Sequence, residues 1–136
     1  MARIEARCDL ASALTVFSVH GSVTADDFVA AVRTNYGKHP TRNAIWDFTH
    51  CALTHNDTKA LIKMSDVARE FAAKRQNPRT VFVVDNRQER SLIRLYEDLL
   101  EMCGSRIECL MVPTLEEAYE KLAITDPFQE AARGSR

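Results

Sequence analysis

The sequence predicts one α/β domain on a mostly parallel, mixed sheet. Three observations carry the fold class. Apolar runs of strand length alternate with longer segments whose apolar residues recur every three or four positions. Helix start and stop signals fall at most of the junctions between them. The length, 136 residues, is that of a single ordinary domain. The order reads β-β-α-β-α-β-α-β-α, with about five strands, about four helices and a first strand antiparallel to the rest.

Residues 3–10 alternate, with Ile4, Ala6, Cys8 and Leu10 on one side and Arg3, Glu5, Arg7 and Asp9 on the other. A period of two with one charged face marks a half-exposed strand at a sheet edge, where charge discourages mispairing. Residues 13–20 are apolar on both faces and predict a more central strand, joined to the first by a hairpin at Ala11-Ser12. Gly21-Ser22 breaks it. A helix over about 25–36 follows, with Thr24 as N-cap and Asp27 completing a capping box. Phe28, Val29, Val32 and Tyr36 form its apolar stripe, and Gly37 is its expected stop.

Residues 44–48 predict the third strand. Residues 57–75 predict a long helix with Leu61, Met64, Val67, Ala68, Phe71 and Ala72 at helical spacing, ended by Asn77-Pro78. Thr80 to Val84 is continuously apolar, the pattern of a strand covered on both faces. A helix over 88–103 carries Leu92, Leu95, Tyr96, Leu99 and Cys103, and Gly104 ends it. Residues 107–112 predict the last strand. Thr114 then caps a short helix over 115–122, where Glu116 and Glu117 suit the positive end of the helix dipole. The domain is expected to span 1–124, with 125–136 as a mobile C-terminal tail.

Composition narrows the function. Hydrophobic residues make up 46% and charged residues 27%, enough for a core that needs neither disulfides nor metal. Lysine and arginine total 18 against 19 acidic residues, so the basic footprint of a nucleic-acid or anionic-membrane binder is missing. No apolar run is long enough for a membrane-spanning helix, and the opening Arg3, Glu5 and Arg7 do not read as a signal peptide. A cytoplasmic home is expected. Cys8, Cys51, Cys103 and Cys109 read as structural thiols rather than a redox set. Met64, Phe71, Tyr96 and Met102 read as core.

Chemistry in an open α/β sheet sits beyond the carboxyl ends of its parallel strands. Two such ends are polar. One runs from Asp47 to Thr58 and holds His50, Cys51, His55, Asn56 and Asp57; the other is Asp85-Asn86-Arg87, continuing to Arg90. If the third and fourth strands run the same way, the two loops frame one crevice. His50, Cys51, His55 and Asp57 are capable metal ligands, but no second ligand pair stands at metal spacing, and no metal or cofactor is expected. The simpler reading makes Asn56 or Asp57 a helix cap. Asp47 reads either as a buried base or, more simply, as an acceptor of backbone N–H groups at a strand-to-loop turn. Arg87, Arg90 and Arg94 share a helical face that could meet a phosphate or lipid headgroup. The plainer reading is a solvated face balanced by Glu89, Glu97 and Asp98. Nucleophile-elbow and glycine-rich phosphate motifs are absent.

Three local patterns follow one another along the chain: Val16-Phe17-Ser18-Val19-His20-Gly21-Ser22-Val23-Thr24, Ala44-Ile45-Trp46-Asp47-Phe48, and Val81-Phe82-Val83-Val84-Asp85 before a helix. Over about residues 3–123 the chain resembles the STAS family of anti-sigma-factor antagonists and sulfate-transporter domains. Within that family it is most similar to the small stand-alone bacterial proteins likened to sporulation stage II protein AA and to CRAL-TRIO lipid-binding domains. The resemblance implies a non-enzymatic regulatory or ligand-binding module, acting through a protein partner or a small lipid or metabolite. Antagonists of this family carry a phosphorylatable serine where the loop after the third strand enters the next helix. The matching stretch here is Thr54-His55-Asn56-Asp57-Thr58, which has no serine, leaving Thr54 or Thr58 to accept phosphate in a switch of that kind. An enzyme using the His50/His55 loop is a further alternative, and a homodimer is the expected assembly if the chain self-associates.

Overall fold

Chain order and spatial order coincide in the sheet. In the computed structural model, which describes residues 3–53 and 56–128, β1 (Arg3–Asp9), β2 (Leu14–Ser22), β3 (Asn43–Ala52), β4 (Arg79–Val83) and β5 (Glu108–Val112) lie side by side. β1 runs antiparallel to β2, and every later pairing is parallel. The crossovers are α1 (Ala25–Lys38), α2 (Thr58–Ala72) and α3 (Arg87–Met102), packed side by side on one face. α4 (Leu115–Leu122) covers the other face beside β3, β4 and β5. The predicted order and strand directions are those found.

Burial follows the pattern of the strands. On the three-helix face, Phe17 stacks on Trp46 with ring centroids 3.8 Å apart, and Phe28 of α1 closes on the same indole at 4.6 Å. On the other face Leu14, Val16, Ile45, Val81, Val83 and Val112 lie beneath Ala118, Tyr119 and Leu122 of α4. The run from Val81 to Val84, which ends β4, is apolar because both faces are roofed: Val81 and Val83 serve one core, Phe82 and Val84 the other. Ile124 and Phe128, beyond α4, pack against the second core, and the Arg7 guanidinium lies 5.6 Å from the Phe128 ring.

Several local expectations shift. Gly37 does not stop α1, which continues through Lys38 and closes with the His39 N–H donating to the Asn35 carbonyl at 2.9 Å. β2 runs past Gly21, whose positive φ of 84° only glycine adopts at little cost, to Ser22. On β1 the helical layer reaches Ile4 but leaves Ala6 and Cys8 exposed, and Leu10 falls in the turn. On α3 the buried stripe is Ile93, Tyr96 and Leu100, so Leu95 and Cys103 lie outside it. Met64, Phe71 and Tyr96 are core as expected; Met102 is not, at 82% exposed.

A buried arginine fastens the amino ends of the parallel strands. Arg75, 3% exposed, ends the 3-10 turn Ala73–Arg75 that follows α2. Its Nε donates to the Thr41 carbonyl at 2.8 Å, one terminal nitrogen to Thr80 Oγ1 at 3.1 Å, and the other to the Arg42 and Arg79 carbonyls at 3.1 Å each. The guanidinium also lies 4.8 Å from the Tyr36 ring centroid. Gln76 and Asn77, both with positive φ, turn the chain from there into β4. Arg75→Met strands several buried oxygens. It is expected to lower unfolding free energy by about 3 kcal/mol, on the order of 10 °C in Tm. In the same thermal melts, Arg106→Ala at an exposed position should shift stability by less than about 0.5 kcal/mol.

Candidate functional site

Parallel strands with helices after each of them place four helix starts on one edge. Each start is occupied by a side chain of its own. Thr24 Oγ1 accepts from the Asp27 N–H at 3.2 Å, Asp57 Oδ1 from Ala60 at 2.9 Å, Asn86 Oδ1 from Glu89 at 2.8 Å, and Thr114 Oγ1 from Glu117 at 3.2 Å. Asp27 Oδ2 accepts from the Thr24 N–H in return, completing the expected capping box. Asp57, not Asn56, is the cap of α2.

Asn56 does a different job. Its Nδ2 donates to the Val23 carbonyl and the Leu53 carbonyl, both at 2.9 Å, clipping the loop before α1 to the loop before α2. From the other side, Glu89 of α3, 5% exposed, sets both carboxylate oxygens 3.1 Å from the Leu53 N–H. The β3 and β4 loops therefore meet on one edge through a buried carboxylate. Below them lies a cavity of about 20 Å³ lined by apolar groups including Phe28, Phe48, Leu61, Met64, Phe82 and Tyr96. It has room for about one water molecule.

The sequence-predicted residues divide into two groups. Asp57, Asp85, Asn86, Arg87 and Arg90 are exposed along the rim, with Asn56 half-buried between them. Asp47 and His50 belong to the opposite face of the sheet. Along β3 the side chains of Trp46 and Phe48 enter the three-helix core and Ile45 the other, which assigns Asp47 to the α4 side. The register with β2 then slips, and His50 comes opposite His20 with rings parallel to within 2° and centroids 5.6 Å apart. The extra residue falls at Phe48–Thr49, two residues against the single Val19 of β2. Asp47 Oδ1 accepts from the Thr49 N–H at 3.0 Å and Oγ1 at 2.6 Å, so it is a local acceptor, set mid-strand rather than at the strand's end. Thr58 is exposed at the first position of α2. Thr54 and His55 lie outside the described residues.

Two features escaped the sequence reading. Glu89 read as a counter-charge to the arginines, yet it stands four residues before Ile93 and seven before Tyr96, on the buried side of α3. That spacing was its available signal. His20 carried none, because only the β3 irregularity brings His50 to it.

The chemistry on offer is limited. Among the described residues, no three histidine, cysteine, aspartate or glutamate side chains converge on a metal-sized point. Burial, with the charges of Glu89 and Asp47 adding to it, pushes the Cys51 thiol up to about 12. Burial and then Glu97 do the same to Cys109, also to about 12. Both are neutral at pH 7 and are poor nucleophiles. Cys8 and Cys103 are exposed rather than packed as structural thiols.

No protein-family model and no curated protein matches the sequence. Solved structures do match in shape. An anti-sigma factor antagonist from Mycobacterium paratuberculosis superposes with a TM-score of 0.63 at 14% identity, covering 90% of this chain and 95% of that one. The fold is SpoIIAA-like. A second structure with a SpoIIAA-like fold agrees, an uncharacterized protein of the DUF3478 family from Shewanella loihica, at TM-score 0.59, 12% identity, and 89% and 93% coverage. At such identities the likeness is one of fold. Among the described residues no helix is long and apolar enough to cross a membrane.

The two raised thiols give this SpoIIAA-like domain a definite alkaline behaviour. An unfolded thiol loses its proton near pH 9, while Cys51 and Cys109 hold theirs to about 12. Between those values the unfolded state binds fewer protons, so stability falls as pH rises. Urea melts between pH 8 and 11 should show that decline, and a Cys51→Ala/Cys109→Ala variant should show a shallower one. Equal slopes would contradict the assignment.

Proposed function

We propose that this chain is a non-enzymatic regulatory domain that acts by contact with a protein partner through the carboxyl edge of its sheet. One observation carries the reading. The polar groups at that edge that could do chemistry are engaged in holding it together: Asn56 between two carbonyls, Glu89 on the Leu53 N–H, and Asp57 and Asn86 on helix starts. What the edge leaves outward is a rim of exposed Asp57, Thr58, Lys59, Asp85, Arg87 and Arg90. A mixed-charge rim held in fixed geometry supports specific protein contact. The fold shared with an anti-sigma factor antagonist supports this use of it. The cavity of about 20 Å³ favours contact over a stored lipid or metabolite, because it takes no acyl chain without opening.

A phospho-regulated version of the same reading rests on Thr58. Its hydroxyl is exposed at the first position of α2, where a phosphate would meet the positive end of the helix dipole.

Native mass spectrometry of protein purified from its own cells is the test, followed by crosslinking to a captured partner. The expected mass is that of the chain or a whole multiple of it. Reversing two rim charges, Lys59→Glu with Asp85→Lys, should abolish capture of the partner without lowering Tm. A small molecule held in the native state and released on denaturation would overturn contact in favour of ligand storage. Turnover lost on Asp47→Asn or His50→Gln would establish an enzyme instead. A phosphate-sized increment mapped to Thr54 or Thr58 would establish the switch.

A further inference from the structure

α3 carries two apolar rows; one fills the core, and the other packs against it through Leu92 and Leu99 and leaves Leu95 and Met102 exposed. Beside buried Ile93, Tyr96 and Leu100, a second row of Leu92, Leu95, Leu99 and Met102 recurs at three, four and three residues, the seam spacing of a coiled coil. Leu92 and Leu99 are half-buried, Leu95 is 43% exposed and Met102 82%. The neighbouring helix extends the patch. Arg69 of α2 and Cys103 line one cleft, which sets the level of the two helices, and two turns earlier on α2 stands Ile62, 44% exposed. Three of the four large exposed hydrophobic residues among those described therefore gather on the outer α2–α3 surface.

The charges along α3 are sorted by position. Exposed Arg87, Arg90 and Arg94 occupy its first half, where Glu89 is buried and engaged with Leu53. Glu97, Asp98 and Glu101 occupy its second half. A helix that is basic at one end, acidic at the other and apolar along one seam is complementary to itself reversed.

We propose that this surface binds a second copy of the chain, with the two α3 helices antiparallel about a two-fold axis near Leu95. Leu95 of one copy then packs against Leu95 and the outer edge of Leu99 of the other, and Arg94 faces the second copy's Asp98. Parallel pairing would oppose arginine to arginine. The antiparallel form satisfies both the apolar rows and the charges, and the contact is isologous, so it closes as a dimer. The surface is on the outer helical face and not on the carboxyl rim, so this proposal and the functional one above can fail separately.

Sedimentation equilibrium of the purified full chain over a wide concentration range tests it. The expected result is a reversible monomer–dimer equilibrium. Leu95→Glu should raise the dissociation constant at least ~10-fold, and the milder Leu95→Gln less, with thermal unfolding of both near that of the wild type. Arg94→Asp should weaken the dimer by roughly 3- to 10-fold, and adding Asp98→Arg should restore it, because the swapped pair is again opposite in sign. A chain monomeric at every concentration would overturn the proposal and assign the stripe to another occupant. A dimer indifferent to Leu95→Glu would overturn it too. Failure of the charge swap to restore association would overturn the antiparallel arrangement.

Discussion

A guanidinium sealed among neutral oxygens organises the amino edge of this domain. Arg75 gives its hydrogen bonds to three carbonyls and a hydroxyl drawn from the chain entering β3 and the start of β4. Taking a cation out of water costs several kcal/mol, and here the cost is offset by carbonyl dipoles converging on it and by the face of Tyr36. The bonded segments are those whose relative register fixes how far β3 and β4 extend at their other ends.

At that opposite edge the same problem is solved with the opposite charge. Glu89 reaches from α3 to the Leu53 N–H and fastens the loop leaving β3, while Asn56 fastens it to the loop leaving β2. The two ends of the sheet are thus each held by one buried ion bonded to backbone. The loops at the rim are thereby held in one arrangement, which fixes the shape and charge that the edge presents.

The sequence made the architecture legible because its signals were local and repeated. Thr24 with Asp27, Asp57, Thr114 and Gly104 mark helix ends by their own chemistry, and the apolar run at Val81 to Val84 could only be a covered strand. Other features depended on partners distant in sequence. Arg75 stands at the end of the helix predicted over 57–75, in a polar run with no mark of burial; only the fold wraps it in carbonyls. The irregularity in β3 has no local signature, so Asp47 read as the end of a strand and His50 as a loop residue, when a longer strand carries both onto the α4 side. On α3, two apolar rows differ by a small rotation, and spacing alone could not say which one the sheet would choose.

The two faces of the sheet are roofed unequally, and this has a consequence for motion. Three helices cover one face, while the other depends on α4, eight residues long, and the few residues after it. A helix that short has little stability apart from what it packs against. The cheapest partial opening is then the lifting of α4 with Ile124 and Phe128, which bares Val81, Val83 and Val112 while the three-helix side stays intact. In amide hydrogen exchange the domain would behave as two units of unequal lifetime, with α4 trading its protons for deuterium well before the strands beneath it.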